Sequence, residues 1–259
     1  MPGRRHSVVL ARFSLSSWNY VNSSNALYVV ATPIGNLADM VPRAVEILKS
    51  VDVIAAEDKR HSQKLMQHFE IDTPLLAYHD HSDERVLQKL SGLMEQGQSI
   101  ALISDAGTPL ISDPGYRLVR HAHACGWQVI PIPGASALVA ALSVSGLPTD
   151  RFLFEGFLPA KTHARSKRLE SLANEGCTLI FYEAPHRLLD SLVDMQQCFG
   201  GERRIVLARE LTKAFETVIN SSIDELLELV RRDPNQSRGE IVLLVEAGSE
   251  EAEFSPEIE

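Results

Sequence analysis

"SIALISDAGTPLISDPGYRLVRHAHACG" (residues 99–126) reads as a strand, a doubled turn and a helix in one run. The apolar "IALI" leads directly into Ser104, Asp105, Gly107, Thr108 and Pro109. Asp113, Pro114 and Gly115 then repeat the same turn chemistry before the helix begins. One such cluster suffices for a surface turn, so two in succession describe a loop built to hold something.

The same unit recurs on either side. Upstream, "LYVVA" (27–31), "VIAA" (53–56) and "PLLAYH" (74–79) are strand-like runs. The patterns after them, "VPRAVEILKSV", "EDKRHSQKLMQHF" and a segment carrying Val86, Leu90 and Leu93 on one face, are helical. Downstream, "WQVIPI" (127–132) precedes "PGASALVAALSVSG". Strands alternating with helices predict a largely parallel sheet covered on both faces.

At "GLPTDRF" (146–152) the texture changes to the Phe-rich "RFLFEGFLPA". Strand-like "TLIFYEA" (178–184), "RIVLARE" (204–210), "ETVIN" (216–220) and "EIVLLVEA" (240–247) follow, with helices between them. "RIVLARE" and "ETVIN" are near enough in sequence to pair antiparallel. The expected fold class is α/β, with two α/β domains at 26–148 and 151–247, a flexible leader at 1–25 and an acidic tail at 248–259.

Composition sets outer bounds. The chain has 259 residues, 44% hydrophobic and 23% charged, which is ample for a packed core. No apolar run reaches the roughly 20 residues of a membrane-spanning helix, so no membrane partner is expected. Cys125, Cys177 and Cys198 are too scattered for a metal motif. They read as reduced, buried thiols of a cytoplasmic protein, with no metal site.

The polar groups after each strand of the first half form a pattern. They are Thr32, Pro33, Gly35 and Asn36; Glu57, Asp58, Arg60 and His61; His79, Asp80 and His81; the loop from Ser104; and Pro133, Gly134 and Ser136. In open α/β sheets ligands bind beyond the carboxyl ends of the strands, so five such ends in a row predict a ligand site. "TPIGNL" matches neither dinucleotide nor triphosphate cradles. Hydroxyls and carboxylates with little positive charge suit a ligand bearing hydroxyls and an amino or cationic group. Asp105 taken alone suits an Asx turn or a helix cap; within the five loops it reads as a ligand contact.

"LYVVATPIGNLADM", "AAEDKRHS", "YHDH", "SDAGTPLISDPG", "PGASA", "FEGFLPAK", "FYEAPHRL", "LARELTK" and "GEIVLLVE" occur in one order. Together they resemble the ribosomal-RNA branch of the tetrapyrrole methylase-like (class III) methyltransferases, from about residue 26 to 247. Lys59, where that family commonly has Thr, and Ala135, where it commonly has Pro, are minor departures.

The resemblance implies S-adenosylmethionine bound between the two domains, and a homodimer. It implies methylation of the ribose 2′-hydroxyl of a cytidine in the decoding region of 16S rRNA, position 1402 in the usual rRNA numbering, with 16S rRNA or the 30S subunit as partner. By the same analogy the cofactor meets Pro33, Ser104, Asp105, Ala106, Gly107, Thr108, Ser136 and Ala137. From the second half it meets Phe181, Tyr182, Glu183 and Leu211.

A ribose hydroxyl needs a proton acceptor. The candidates are Glu57, Asp58, His61, His79 and Asp80, the last two favoured as a neighbouring His–Asp pair. The net charge of −9 is unusual for an RNA partner, although five acidic residues sit in the stretch from Glu250. Positive charge collects locally in "PAKTHARSKR". Lys161, Arg165, Lys167 and Arg168, with Arg60 and Arg187, form the candidate RNA track, to which Arg209 and Lys213 add. Two rivals remain at this point: a small-molecule methyltransferase of the same fold, and a module that binds cofactor or RNA without catalysis.

Overall fold

The computed structural model describes residues 25–79 and 84–248. The expected leader before Asn25, the Asp80 and His81 positions and the acidic tail from residue 249 lie outside the described residues.

The first half builds five parallel strands: β1 (Ala26–Val30), β2 (Val53–Ala56), β3 (Leu75–Ala77), β4 (Ile100–Ile103) and β5 (Gln128–Ile132). Their spatial order is β3-β2-β4-β1-β5. The side-chain period of two divides each strand between opposite faces. Tyr28 and Val30 of β1 pack under α1 (Pro42–Ser50) and α2 (Lys59–His68). Leu27, next to Tyr28 and on the opposite face, packs under α3 (Glu84–Glu95) and α4 (Tyr116–Ala124). Both faces are therefore covered, as a parallel sheet requires. Helix starts follow local chemistry. Pro42 opens α1, where its missing N–H costs nothing, and the Asp58 carboxylate caps α2 by accepting from the Arg60 N–H at 2.7 Å.

The second half builds β6 (Phe152–Phe157), β7 (Thr178–Glu183), β8 (Arg204–Arg209), β9 (Thr217–Ser222) and β10 (Ile241–Val245), in the order β6-β7-β10-β8-β9. Only β6 and β7 are parallel; β10 runs antiparallel to β7 and β8. The expected β8–β9 pairing is present, from Arg204↔Ser222 to Arg209↔Thr217. One face carries α6 (Thr162–Leu172), α7 (Leu188–Phe199) and α8 (Ile223–Arg232).

The other face is covered by a helix that follows β5. In α5 (Ala137–Ser145), Ala141 and Leu142 pack with Ile180, Val206 and Leu244 of the second sheet. Ile34, from the turn after β1, joins the same cluster. Each fully buried Leu or Ile stabilises by about 1.5–3 kcal/mol, so this contact ties the two sheets together and defines a cleft beside α5.

The cysteine expectation needs correction. Cys125 is exposed and Cys177 and Cys198 are half-buried. Cys125 stands at the C-terminal cap of α4, where the chain leaves the core.

Candidate active site

The doubled turn is the hub of the first sheet's carboxyl edge. The Thr32 N–H donates to the Gly107 carbonyl at 2.9 Å, and the Gly107 N–H donates back to the Thr32 carbonyl at 3.1 Å. The Thr108 hydroxyl donates to the Ala135 carbonyl at 3.0 Å. The Asp58 N–H donates to Asp105 Oδ1 at 3.1 Å, and the Asp105 N–H to Glu57 Oε2 at 3.4 Å. The loop after β4 is thus tied to the loops after β1, β2 and β5.

Its second cluster crosses to the other sheet. Leu110 (φ 73°) and Ser112 (φ 64°) adopt left-handed backbone, uncommon for residues with a Cβ and a mark of strain held by surrounding contacts. Ser112 closes on Gly156 of β6, itself at φ 67°, where an added Cβ would sit 2.9 Å from Ser112 Oγ.

Between the sheets lies a cavity of about 380 Å³. Ile34, Ala106, Gly107 and residues 111–113 line its first-sheet side and Ala137 its floor. Phe157, Tyr182, Ala208, Leu211 and residues 239–242 line the second-sheet side. The Tyr182 hydroxyl accepts the Leu138 N–H at 3.1 Å, and its ring meets Phe154 and Phe157 edge-on, at 4.9 and 5.7 Å between centroids. Burial pushes the Tyr182 phenol up from its ordinary value.

Asp113 is the ionisable group that gives this cleft its character. Burial raises its carboxyl to about 6; a hydrogen bond from Ser104 works the other way, and Glu57 and Asp105 push it further up. A carboxylate held partly dry among apolar walls favours a cation, which relieves the cost of its own charge. The apolar walls suit a flat heterocycle and Asp113 suits an ammonium or sulfonium group, so the residues present fit S-adenosylmethionine.

A second cavity, of about 360 Å³, adjoins the first. Thr32, Pro33, Gly35, His61, Ser62, Lys64, Ser104, Asp105 and Lys213 line it, and Ile34, Ala106 and Glu240 border both cavities. The Lys213 side chain closes over Gly35, where a Cβ would collide with it. Lys213 is also paired with Glu210 at 2.8 Å and Glu240 at 3.2 Å.

Of the expected cofactor residues, Ala106, Gly107, Ala137, Tyr182, Glu183 and Leu211 line the first cavity, while Pro33, Ser104 and Asp105 line the second. Thr108 and Ser136 line neither and support the loops instead: Thr108 bonds Ala135, and Ser136 bonds the Tyr182 hydroxyl. Phe181 is corrected outright. Alternation along β7 turns it into the helix-covered core, fully buried. The Glu183 side chain turns the same way, although the residue still borders the first cavity. Its carboxylate accepts from the Ser191 hydroxyl at 2.5 Å and the Ala184 N–H at 2.7 Å, and pairs with Arg187 at 2.9 Å.

Among the expected proton acceptors, His61 lines the second cavity, Asp58 caps α2 and Glu57 braces the Asp105 backbone. His79 follows β3, the outermost strand, and lines neither cavity.

The RNA set divides too. Arg60, Lys161 and Lys167 are exposed. Arg168 is half-exposed and grips Glu155 through two hydrogen bonds, at 2.6 and 2.8 Å. Arg165 is corrected: it is buried and pairs with Asp194 at 2.6 Å, because i, i+4 spacing puts it in line with Leu169 on the packed face of α6. Arg187 is largely enclosed by Glu183 and the Leu158 carbonyl, and Arg209 is buried. Asp113, Ser112, Phe157 and residues 239–242 were missed. "SDPG" holds the first two, "FEGF" holds Phe157 and "GEIV" holds residues 239–242, but none of these stretches says which residue faces the cleft.

This fold and cleft belong to a known class. The sequence profile of the Tetrapyrrole (Corrin/Porphyrin) Methylases matches residues 26–227, and the chain belongs to that family. Membership makes it a methyltransferase with S-adenosylmethionine as cofactor.

Nearer relatives narrow the class. The chain is 58% identical to Ribosomal RNA small subunit methyltransferase I of Pseudomonas aeruginosa, over 86% of this chain and 79% of that protein. It is 52% identical to the protein of the same name from Escherichia coli O157:H7, over 91% and 82%. Among solved structures, the uroporphyrin-III C-methyl transferase of Thermus thermophilus, complexed with S-adenyl homocysteine, shares the fold. Its TM-score is 0.57 at 17% identity, covering 85% of this chain and 97% of that one. Among the described residues, no helix is long and apolar enough to cross a membrane.

Proposed function

We propose that this protein methylates the ribose 2′-hydroxyl of a cytidine in the decoding region of 16S rRNA, acting on the 30S subunit in the cytoplasm as a homodimer. The observation that carries the reading is the junction of two cavities across Ile34, Ala106 and Glu240. One fits the methyl donor and the other is open to an acceptor. The names of the relatives at 52–58% identity supply the class of acceptor.

Bound S-adenosylmethionine supplies an electrophilic methyl group on a cationic sulfur. Asp113 would hold the cationic end of the cofactor, and Ala137 with Leu211 would pack its apolar part. Held between the linings that share Ile34 and Ala106, the cofactor would supply its methyl group to the acceptor oxygen, sulfur keeping the bonding pair. The hydroxyl proton passes to His61 and then to solvent. Positioning supplies most of the acceleration, and proton acceptance by His61 contributes about 10²–10⁴-fold. Arg60, Lys161 and Lys167 meet RNA phosphates. Val139 and Val144 on α5, with Val218 on the edge strand β9, expose apolar surface that suits a second copy.

The test is methyl transfer from labelled S-adenosylmethionine to 30S subunits from cells lacking the endogenous activity, followed by mapping of 2′-O-methyl groups. Label confined to one decoding-region cytidine supports the reading. Absence of label with cofactor binding retained rejects it in favour of a small-molecule acceptor or a non-catalytic module.

A further inference from the structure

Strand β6, at the outer edge of the second sheet, breaks the alternation of its side chains. Its pairing with β7 runs Phe154↔Ile180, then Gly156↔Phe181 and Phe157↔Tyr182, so Glu155 is an extra residue. A bulge of this kind re-aims the side chains beyond it. In an even strand Phe154 and Phe157, three apart, would face opposite ways. Here both meet the Tyr182 ring edge-on. Gly156 permits the bend, with its φ of 67°. The bulge is also locked to α6, because Arg168 donates two hydrogen bonds to the Glu155 carboxylate. Phe154 is half-buried in the core between the sheets. Phe157 is 55% exposed, on the lip of the first cavity. A lone apolar side chain in water is ordinary; an aromatic ring held there by a bulge and a left-handed glycine calls for a partner.

Resting on the function proposed above, we propose that Phe157 is a stacking platform for an unpaired RNA base outside the reaction centre, with Lys161 and Lys167 on the flanking phosphates. The charge around it agrees. From Gly156 to Leu169 the chain has no acidic residue, and Lys161 and Lys167 are exposed. Lys161 stands four residues from Phe157, a span of at most about 14 Å. An aromatic face beside cations that track a backbone is how single strands are held, and such a stack contributes about 1–3 kcal/mol whichever base it carries. Position decides which base this is. Glu240, at the start of β10, borders the second cavity, and β10 lies two strands from β6, about 10 Å away. A strand of RNA that reaches Phe157 therefore crosses the mouth of the donor cleft. The base it lays on the ring is a neighbour of the acceptor, not the acceptor itself.

The experiment compares the full-length protein with its Phe157→Ala, Phe157→Leu and Phe157→Tyr variants. It reads methyl transfer to 30S subunits by steady-state kinetics, S-adenosylmethionine affinity without RNA by calorimetry, and mass in solution by light scattering. Phe157→Ala is expected to raise KM for the subunit about tenfold or more, with kcat within about threefold of the parent. Phe157→Tyr keeps the aromatic face and should stay within about threefold in both. Cofactor Kd should rise no more than about threefold in any variant, because more than half of the residue faces solvent. Should Phe157→Ala fail to fold, Phe157→Leu, which keeps apolar bulk and removes the flat face, is expected to raise KM about fivefold or more. Folded Ala and Leu variants with KM within about threefold of the parent overturn the proposal. So does a cofactor Kd about tenfold weaker with KM for the subunit unchanged, which assigns the ring to the donor. A lower mass in solution than the parent's assigns it instead to a second copy and overturns the proposal too. A parent protein that methylates no ribosomal substrate defeats the proposed function itself, and that result is visible before any variant is made.

Discussion

The Asp105 carboxylate accepts a hydrogen bond from the Asp58 backbone N–H at 3.1 Å, fastening the loop after β4 to the loop after β2. The loop after β2 leads into α2, whose His61 and Ser62 line the second cavity beside Asp105. Hydrogen bonds to charged groups contribute about 1.5–3 kcal/mol. Asp105→Ala is therefore expected to lower kcat/KM about 10–100-fold, and Asp105→Asn, which keeps an acceptor oxygen, to recover most of it. Steady-state methylation of 30S subunits by both variants measures this.

Asp113 should report on pH in two ways. Its folded value, about 6, lies above the ordinary 3.8. The folded chain therefore binds the proton more tightly than the unfolded chain, and stability falls as pH rises between those values. Asp113→Asn is expected to stabilise the cofactor-free protein by about 1–2 kcal/mol at pH 7.5, after allowing for solvent screening of a half-buried group. Near pH 4 the gain should vanish. Thermal unfolding at the two pH values checks the sign.

The same substitution should cost affinity for the cation. At pH 7.5 Asp113→Asn is expected to weaken S-adenosylmethionine binding about tenfold or more. The parent's affinity should itself decline as pH falls below 6, where Asp113 takes up its proton. Calorimetric titrations between pH 5 and pH 8 test both statements.

The bridge between the sheets is sensitive at Gly156. Its φ of 67° and the 2.9 Å approach of Ser112 Oγ leave no room for a methyl group. Gly156→Ala is expected to destabilise by about 1–2 kcal/mol and to loosen the cofactor cleft. Chemical denaturation, paired with cofactor titration, reads both effects.

Two positions in one basic stretch should behave in opposite ways. Arg165→Ala leaves Asp194 buried and unpaired and is expected to cost about 3–5 kcal/mol of stability. Lys167→Glu sits on exposed surface and should leave stability within about 0.5 kcal/mol while raising KM for RNA in a salt-dependent way. Melting curves and kinetics at two ionic strengths separate the roles.

Much of the fold was legible in the sequence because its signals are local. Strand-like runs located nine of the ten strands, β6 standing out only as a Phe-rich stretch, and the short link after "RIVLARE" set the β8–β9 hairpin. Family membership followed from ordered blocks across residues 26–227. What the linear chain withheld is strand order and facing. β3 lies at the sheet edge, which carries His79 away from both cavities, while the first and fourth strands meet at the centre. Phe181 and Tyr182 are neighbours in sequence, yet the pleat sends one into the helix-covered core and the other into the cleft. Arg165 and Lys167 belong to one run of positive charge, yet the helical turn buries the first and exposes the second. Turn chemistry and hydrophobic period act between residues a few positions apart, so the sequence by itself determined the elements and their order. Which of those elements meet depends on burying apolar faces from distant parts of the chain, as α5 does on the second sheet; only the tertiary structure decided that, and with it the site.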